Sequence, residues 1–444
     1  MMRRHLLAAA ASLFVAAAST SAAQTPAGSA TVRAPATAAG KVVTEWLDAF
    51  NSADSARLAS YYQKWHLVRN LSAQLQFRRA TGGFDLVSIE RSEPTLVEFV
   101  MRERNNPAQQ AYGIIEIAPD DTTLRQSYLI AMRPGTTPAS FAIDAPTRAR
   151  VIEHAIAQLD TNYVFPEVAT KMAAALHEHQ KRGDYDAIRN GATFAARLTD
   201  DLQAVSHDRH LRVNFVPGAL PNAPDGSGPD SATIAQRRRE ATTQSCGFVR
   251  TDTLAGNVGY LKFNGFADPD VCGEIASREL TRLADTKALI VDLRDNGGGD
   301  PAMVAYISSY LFDTRTHLND LWTRRTNKTD EYWTRDVPGA RFGGKKPVYV
   351  LTSSYTFSGA EEFTYNLKNL KRATIIGETT GGGAHPVDGH RIDDHFLIGV
   401  PFARAINPYS HTNWEGTGVT PDVKVPRDEA LATAQKLIAE GARP

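Results

Sequence analysis

Ser358 stands in Thr352-Ser353-Ser354-Tyr355-Thr356-Phe357-Ser358-Gly359-Ala360-Glu361, between an apolar run at 347–351 and a helical pattern that continues to Leu370. A hydroxyl at a helix N-terminus sits where backbone N–H groups and the helix dipole favour developing negative charge, which suits a nucleophile in acyl transfer. The same residues spell S-x-x-E, a capping box that closes a helix end and needs no chemistry. The G-x-S-x-G elbow is absent, since Thr356 and Ala360 hold its glycine positions. A second motif, Asn296-Gly297-Gly298-Gly299, follows the apolar run Ala288–Leu293. It lacks both the G-x-G-x-x-G spacing and a Walker lysine, so it is no nucleotide cradle. Consecutive glycines let a backbone approach a ligand closely, as an oxyanion hole requires, and a flexible turn is the plainer alternative. His385, His390, His395 and His411 occur late in the chain with Asp388, Asp393 and Asp394, but without H-E-x-x-H or a helical i, i+4 pair. They read as a polar loop, and neither a metal nor a cofactor is expected.

These motifs need a scaffold. Val258–Phe263, Ala288–Leu293, Pro347–Leu351 and Ala373–Gly377 are buried strands, with helices at Pro301–Leu311 and Ser358–Leu370. Strand–helix–strand alternation predicts a parallel sheet with right-handed crossovers, whose ligands sit beyond the carboxyl ends of the strands. Both the glycine loop and Ser358 fall there. Upstream, apolar stripes (Val151, Ile152, Ala155, Ile156, Leu159; then Val168, Met172, Ala175, Leu176; then Phe194, Leu198, Leu202) predict helices. Before them, an amphipathic helix from Val42 to Tyr61 precedes four alternating segments, Phe84–Glu90, Thr95–Arg102, Ala111–Ile117 and Thr123–Met132. That α+β unit resembles cystatin-like or nuclear-transport-factor-like domains, and it is assigned an accessory or oligomerisation role.

With 444 residues, two or three domains are expected, and 49 basic against 49 acidic residues favour neither nucleic acid nor an anionic membrane as partner. Arg3 and Arg4, the apolar stretch Leu6–Ala18 and Ser21-Ala22-Ala23 form an export signal too short to span a bilayer. The expected protein is therefore periplasmic or secreted and not membrane-embedded. In that compartment Cys246 and Cys272 are either a disulfide or two small buried residues. The expected organisation is a signal peptide at 1–23, a linker at 24–39, an α+β domain at 40–135, a helical subdomain at 142–216, a linker at 217–244 and an α/β core at 245–444.

Leu293-Arg294-Asp295-Asn296-Gly297-Gly298-Gly299, Thr352 to Glu362 and Gly377-Glu378-Thr379-Thr380-Gly381-Gly382-Gly383, in that order, resemble the serine peptidases related to C-terminal processing peptidases, tricorn core protease and interphotoreceptor retinoid-binding protein. The resemblance covers roughly residues 144–430 and implies an α/β fold with a ClpP/crotonase-like core. One branch of the family pairs its serine with a lysine and carries a PDZ domain. Here Gly383 holds the lysine position and about thirty residues separate Val216 from the core, too few for a domain of ~50 residues. The chain is thus similar to the branch whose base is histidine. Imidazole suits that task, with a pKa starting near ~6.5. His210, in Asp208-Arg209-His210, matches the family's Asp-x-His element, whereas its rival His207 reads as a surface residue. Glu415 matches the supporting glutamate, with a plain turn carboxylate as the alternative. Arg209 departs from the family's serine before the histidine, and Ser206, a water or direct contact is left to link His210 with Glu415. The resemblance implies a peptidase with Ser358 as nucleophile, His210 as base, Glu415 as support, and an oxyanion hole from Gly359 and Gly298. Its substrate would be a peptide or protein, and a homo-oligomer is compatible with it. Two competing readings use the same scaffold: a non-catalytic binder of an apolar ligand or peptide, and an esterase for small substrates.

Overall fold

The computed structural model describes residues 32–67, 71–120, 123–220, 231–243 and 245–441. The export signal and most of the first linker lie outside them. The N-terminal unit contains α1 (Ala38–Asn51), α2 (Ser55–Lys64), α3 (Leu71–Thr81) and a meander of β1 (Phe84–Ser92), β2 (Leu96–Glu103), β3 (Gln110–Ile117) and β4 (Leu124–Ala131), paired antiparallel in chain order. The single helix expected over 42–61 is two, because Asp54 stops the run and caps α2 by accepting the Ala56 and Arg57 N–H groups. One sheet face (Val97, Phe99, Met101, Ile115, Ile117) packs on the helices. The other (Leu96, Val100, Tyr112, Ile114) packs on Phe141 and Ala192 of the next unit, with the Tyr112 and Phe141 rings stacked at 4.0 Å.

The next unit has the expected helices, α4 (Ala145–Asn162), α5 (Pro166–Lys181) and α6 (Gly191–Ser206), with the predicted stripes at its core. It is not closed on itself. A short strand, β5 (Arg212–Phe215), pairs antiparallel with a strand at 396–401, whose Phe396, Ile398 and Val400 complete the helices' core. The segment read as a linker at 217–244 carries α7 (Ser231–Thr243).

The core follows with β6 (Phe248–Leu254), β7 (Val258–Phe263), α8 (Pro269–Thr281), β8 (Ala288–Asp292), α9 (Pro301–Ser308), β9 (His317–Thr323), β10 (Lys328–Trp333), β11 (Val348–Thr352), α10 (Gly359–Asn369), β12 (Thr374–Gly377), β13 (Val387–Arg391), β14 (Phe396–Pro401), β15 (Ala403–Ile406), β16 (Val423–Lys424) and α11 (Ala430–Ala439). Its main sheet runs β16-β12-β11-β8-β7-β6, all parallel except β6 against β7. α8, α9 and α10 cover one face and α11 the other, so β8 and β11 are buried throughout, as their continuous apolar runs require. Two three-stranded sheets, β10-β9-β15 and β13-β14-β5, flank it. Cys246 and Cys272 form a disulfide that ties the start of β6 to α8. The result is a mixed α/β protein with a helical unit and an α+β unit before the core.

Candidate active site

Three loops leave the carboxyl ends of neighbouring parallel strands: 293–300 after β8, 353–358 after β11 and 378–386 after β12. Side chains and backbone stitch the first two together. Thr356 Oγ1 donates to Leu293 O at 2.8 Å, Ser353 Oγ to Arg294 O at 2.6 Å, and Phe357 N–H to Asn296 O at 3.1 Å. Asn296, fully buried, donates to Phe263 O at 2.9 Å and anchors the glycine loop.

Ser358 emerges from this frame at φ 55°, ψ −123°, a conformation that costs a non-glycine residue about 1–3 kcal/mol. The capping-box arrangement is in place, with Glu361 accepting the Ser358 N–H at 2.9 Å, but the serine hydroxyl makes no cap hydrogen bond to the helix end. Although the G-x-S-x-G spacing is missing, the glycines that a tight strand–turn–helix needs come from elsewhere. A Cβ on Gly298 would lie 2.6 Å from Gly359 N and 2.7 Å from Ser358 Cβ, and one on Gly359 would lie 2.9 Å from Gly299 O. Gly298 and Gly359 therefore buttress the serine.

Glu361 is the functional neighbour that the sequence reading left as a mere cap. Besides the Ser358 N–H, its buried carboxylate accepts Thr380 Oγ1 at 2.5 Å, Gly382 N–H at 2.6 Å and Gly383 N–H at 2.8 Å. Burial pushes its pKa up, and these bonds hold the rise back. One carboxylate thus joins the serine's helix to the third loop.

His210 arrives on the turn between α6 and β5, with its N–H donating to Asp208 Oδ1 at 3.0 Å. It lines the same cavity of about 450 Å³ as Ser358, Gly359 and Gly299, and its ring lies 4.7 Å from that of Phe357. Among the described residues no hydrogen bond joins Ser358 to His210, and His210 Nδ1 has no partner. Burial is the main cause that pushes the His210 pKa down to about 4, against the pull of Asp208. His207, by contrast, is exposed in a left-handed turn that ends α6.

Glu415 is close by. Its Oε2 accepts the Ala384 N–H at 2.5 Å and lies 3.4 Å from His385 Nδ1, while Oε1 is buried without a partner. Burial, with Asp208 adding repulsion, raises its pKa to about 7. Asp208, His210 and Glu415 each offer a ligand-type atom within 4.8 Å of the others, a set that can share protons or hold a cation. His385 does not belong to a polar loop, as the sequence suggested. It is buried, its Nδ1 is 2.6 Å from Asp208 Oδ2, and only the chain's return through β12 brings it there. Ser206 takes the Asp208 N–H at 3.2 Å, and Arg209 turns away to Gly381 O at 2.7 Å, so neither bridges His210 to Glu415.

Of the two backbone donors expected for an oxyanion, Gly359 N–H faces the cavity with no acceptor among the described residues. Gly298 N–H is spent on Asn296 Oδ1 at 2.9 Å. Gly299, which lines the cavity beside Gly359, has the unspent N–H instead.

A strained serine at a helix N-terminus, unspent N–H groups and a half-buried imidazole whose pKa is pushed down, all around one cavity, are parts that acyl transfer could use. The family model for peptidase family S41 matches residues 257–425, and that for the N-terminal domain of this peptidase in eukaryotic IRBP matches residues 146–246. The chain belongs to peptidase family S41. It is 28% identical over 224 residues to tricorn protease homolog 2 of Streptomyces coelicolor, covering 46% of this chain and 17% of that protein. It is 26% identical over 207 residues to the chloroplastic carboxyl-terminal-processing peptidase 2 of Arabidopsis thaliana, covering 45% and 39%. The chain thus spans well under half the length of these relatives. Among solved structures, the photosystem II D1 C-terminal processing protease aligns with a TM-score of 0.39 and 16% identity, over 64% of this chain and 94% of that one.

Proposed function

We propose that this chain is an exported serine-type peptidase that cleaves peptide bonds through an acyl-enzyme. Ser358 attacks the carbonyl, His210 takes its proton and returns it to the leaving amine, and the N–H groups of Gly359 and Gly299 hold the oxyanion. Glu415, with Asp208 and His385 behind it, steadies the imidazolium as it forms. The observation that carries the reading is Ser358 itself, strained at the head of α10 with His210 in the same cavity. With its pKa held low by burial, His210 is unprotonated at neutral pH, the state a base must start from. The disulfide between Cys246 and Cys272 supports export to an oxidising compartment, and N-terminal sequencing of the exported protein is expected to start at Gln24.

Ser358→Ala is expected to lower kcat/KM for an unfolded protein substrate by about 10⁴-fold or more while leaving the melting temperature within a few degrees. A fluorophosphonate should label the wild-type serine and not the variant. The absence of a hydrogen bond between Ser358 and His210 favours, as the second reading, a binding protein without turnover; an unlabelled Ser358 and unchanged substrate would establish it.

A further inference from the structure

Glu362 is one helical turn beyond Ser358 on α10, so the two share a face. Its N–H donates to Ser358 O at 2.9 Å, and its side chain, 4% exposed, lines the same cavity as the serine hydroxyl. Nothing in the acyl-transfer scheme uses this carboxyl, since the neighbouring Glu361 is the one bonded to the third loop. Glu362 Oε1 has no hydrogen-bond partner among the described residues, and buried Asn319 is the polar side chain that faces the carboxyl and offsets part of its burial. Leu321, Tyr332, Ala405 and Trp414 also line that cavity. A buried carboxyl with an unpaired oxygen is costly unless a ligand completes it.

We propose that Glu362 forms the floor of the pocket for the side chain of the residue whose carbonyl Ser358 attacks, and that it selects lysine or arginine there. This rests on the acyl-transfer reading above. A cation is favoured over a neutral amide because Asp388 also lines the cavity, Asp300 adds negative potential at Glu362, and neither lysine nor arginine lines it. Tyr332 and Trp414 supply surface for the aliphatic stem and ring faces for the charged head. In the empty pocket burial raises the Glu362 pKa to about 8, so an entering cation should drive off the proton.

The test uses the full chain with Ser358→Ala and labelled peptides ending in arginine, lysine or norleucine. Fluorescence anisotropy is expected to show about tenfold or tighter binding of the two basic peptides, and Glu362→Gln should abolish that preference. Calorimetry at pH 7 in buffers of different ionisation enthalpy checks the same point without altering Glu362: close to one proton should leave with the arginine peptide and none with norleucine. Equal binding of all three peptides, or a basic preference that survives Glu362→Gln, would overturn the proposal. Wild-type cleavage separates it from the reading beneath. Ser358-dependent cleavage without basic preference sinks the pocket alone. A Glu362-dependent binding preference with no cleavage and no fluorophosphonate labelling sinks the peptidase and keeps the pocket.

Discussion

Ser358 and His210 line one cavity, yet the protein holds them in contrasting ways. Around Ser358 the loops themselves are tied by matched polar groups: Asn296 and Thr356 join the strand ends, and Glu361 takes four donors at once. Around His210, two buried polar atoms, His210 Nδ1 and Glu415 Oε1, have no partner among the described residues, and both groups have pKa values displaced by burial. The Ser358 side, the proposed nucleophile, is pre-built and spends stability on backbone strain. The base side stores its cost as unpaired polar atoms, which are relieved when the imidazole gains a proton beside two carboxyl groups.

The contrast can be broken most severely at Gly383. A Cβ there would meet His210 Cε1 at 2.6 Å and the Phe357 ring at 2.3 Å. Gly383→Ala should push the base out of place and lower kcat by about a hundredfold, as expected for an ångström-scale displacement, with Ser358 still labelled by a fluorophosphonate.

Glu415→Gln should have the next largest effect, a loss of about ten- to a hundredfold in kcat, within the ordinary contribution of acid–base catalysis. It should also stabilise the fold at alkaline pH. Because the folded pKa of Glu415 is raised from 4.5 to about 7, the wild-type group costs stability progressively as pH climbs through that window. His210 has the opposite sign. Its folded pKa is lowered from 6.5 to about 4, so stability falls as pH drops across that interval. Thermal melts from pH 4 to 8.5 should show the variant gaining at pH 8 and losing that gain near pH 5. The kcat/KM profile of the wild type should keep its acid limb well below the usual imidazole value; a limb at pH 6.5 would contradict the buried neutral base.

On the nucleophile side, Glu361→Gln replaces an acceptor for four donors with a group that brings donors of its own. The expected cost is about 1–3 kcal/mol, read as a fall in denaturation midpoint, with a smaller loss of labelling rate. Arg209→Ser is the gentlest change. Arg209 is exposed, reaches Gly381 O and packs over Phe357 at 5.7 Å. The loss should stay within about 0.5 kcal/mol in stability, and kcat should rise only if a serine there bridges His210 to Glu415.

Strands with strong signals were legible in the sequence almost to the residue. The run at 288–293 and the four alternating segments at 84–132 fold where expected, because continuous burial and period-two burial leave different residue patterns. The sequence gives no expectation of β5, β6, β9, β10 and β13 to β16: most of them carry no long apolar run, and β5 and β15 pair with strands far away in the chain. The site divides in the same way. Motifs point to Ser358, His210 and Glu415 as candidates, whereas nothing in the local spacing shows that His385 meets Asp208 or that Glu361 reaches the third loop.

Local residue chemistry by itself determined the parallel core, the helix that begins after Ser358 and the absence of a lysine at Gly383. Only the tertiary structure decided that β5 pairs with β14 and so carries His210 to the serine, that His385 closes on Asp208, and that Gly299 rather than Gly298 keeps a free N–H. Those outcomes depend on which polar groups remain unpaired after distant segments meet, and hydrogen-bond competition of that kind leaves no trace in local spacing.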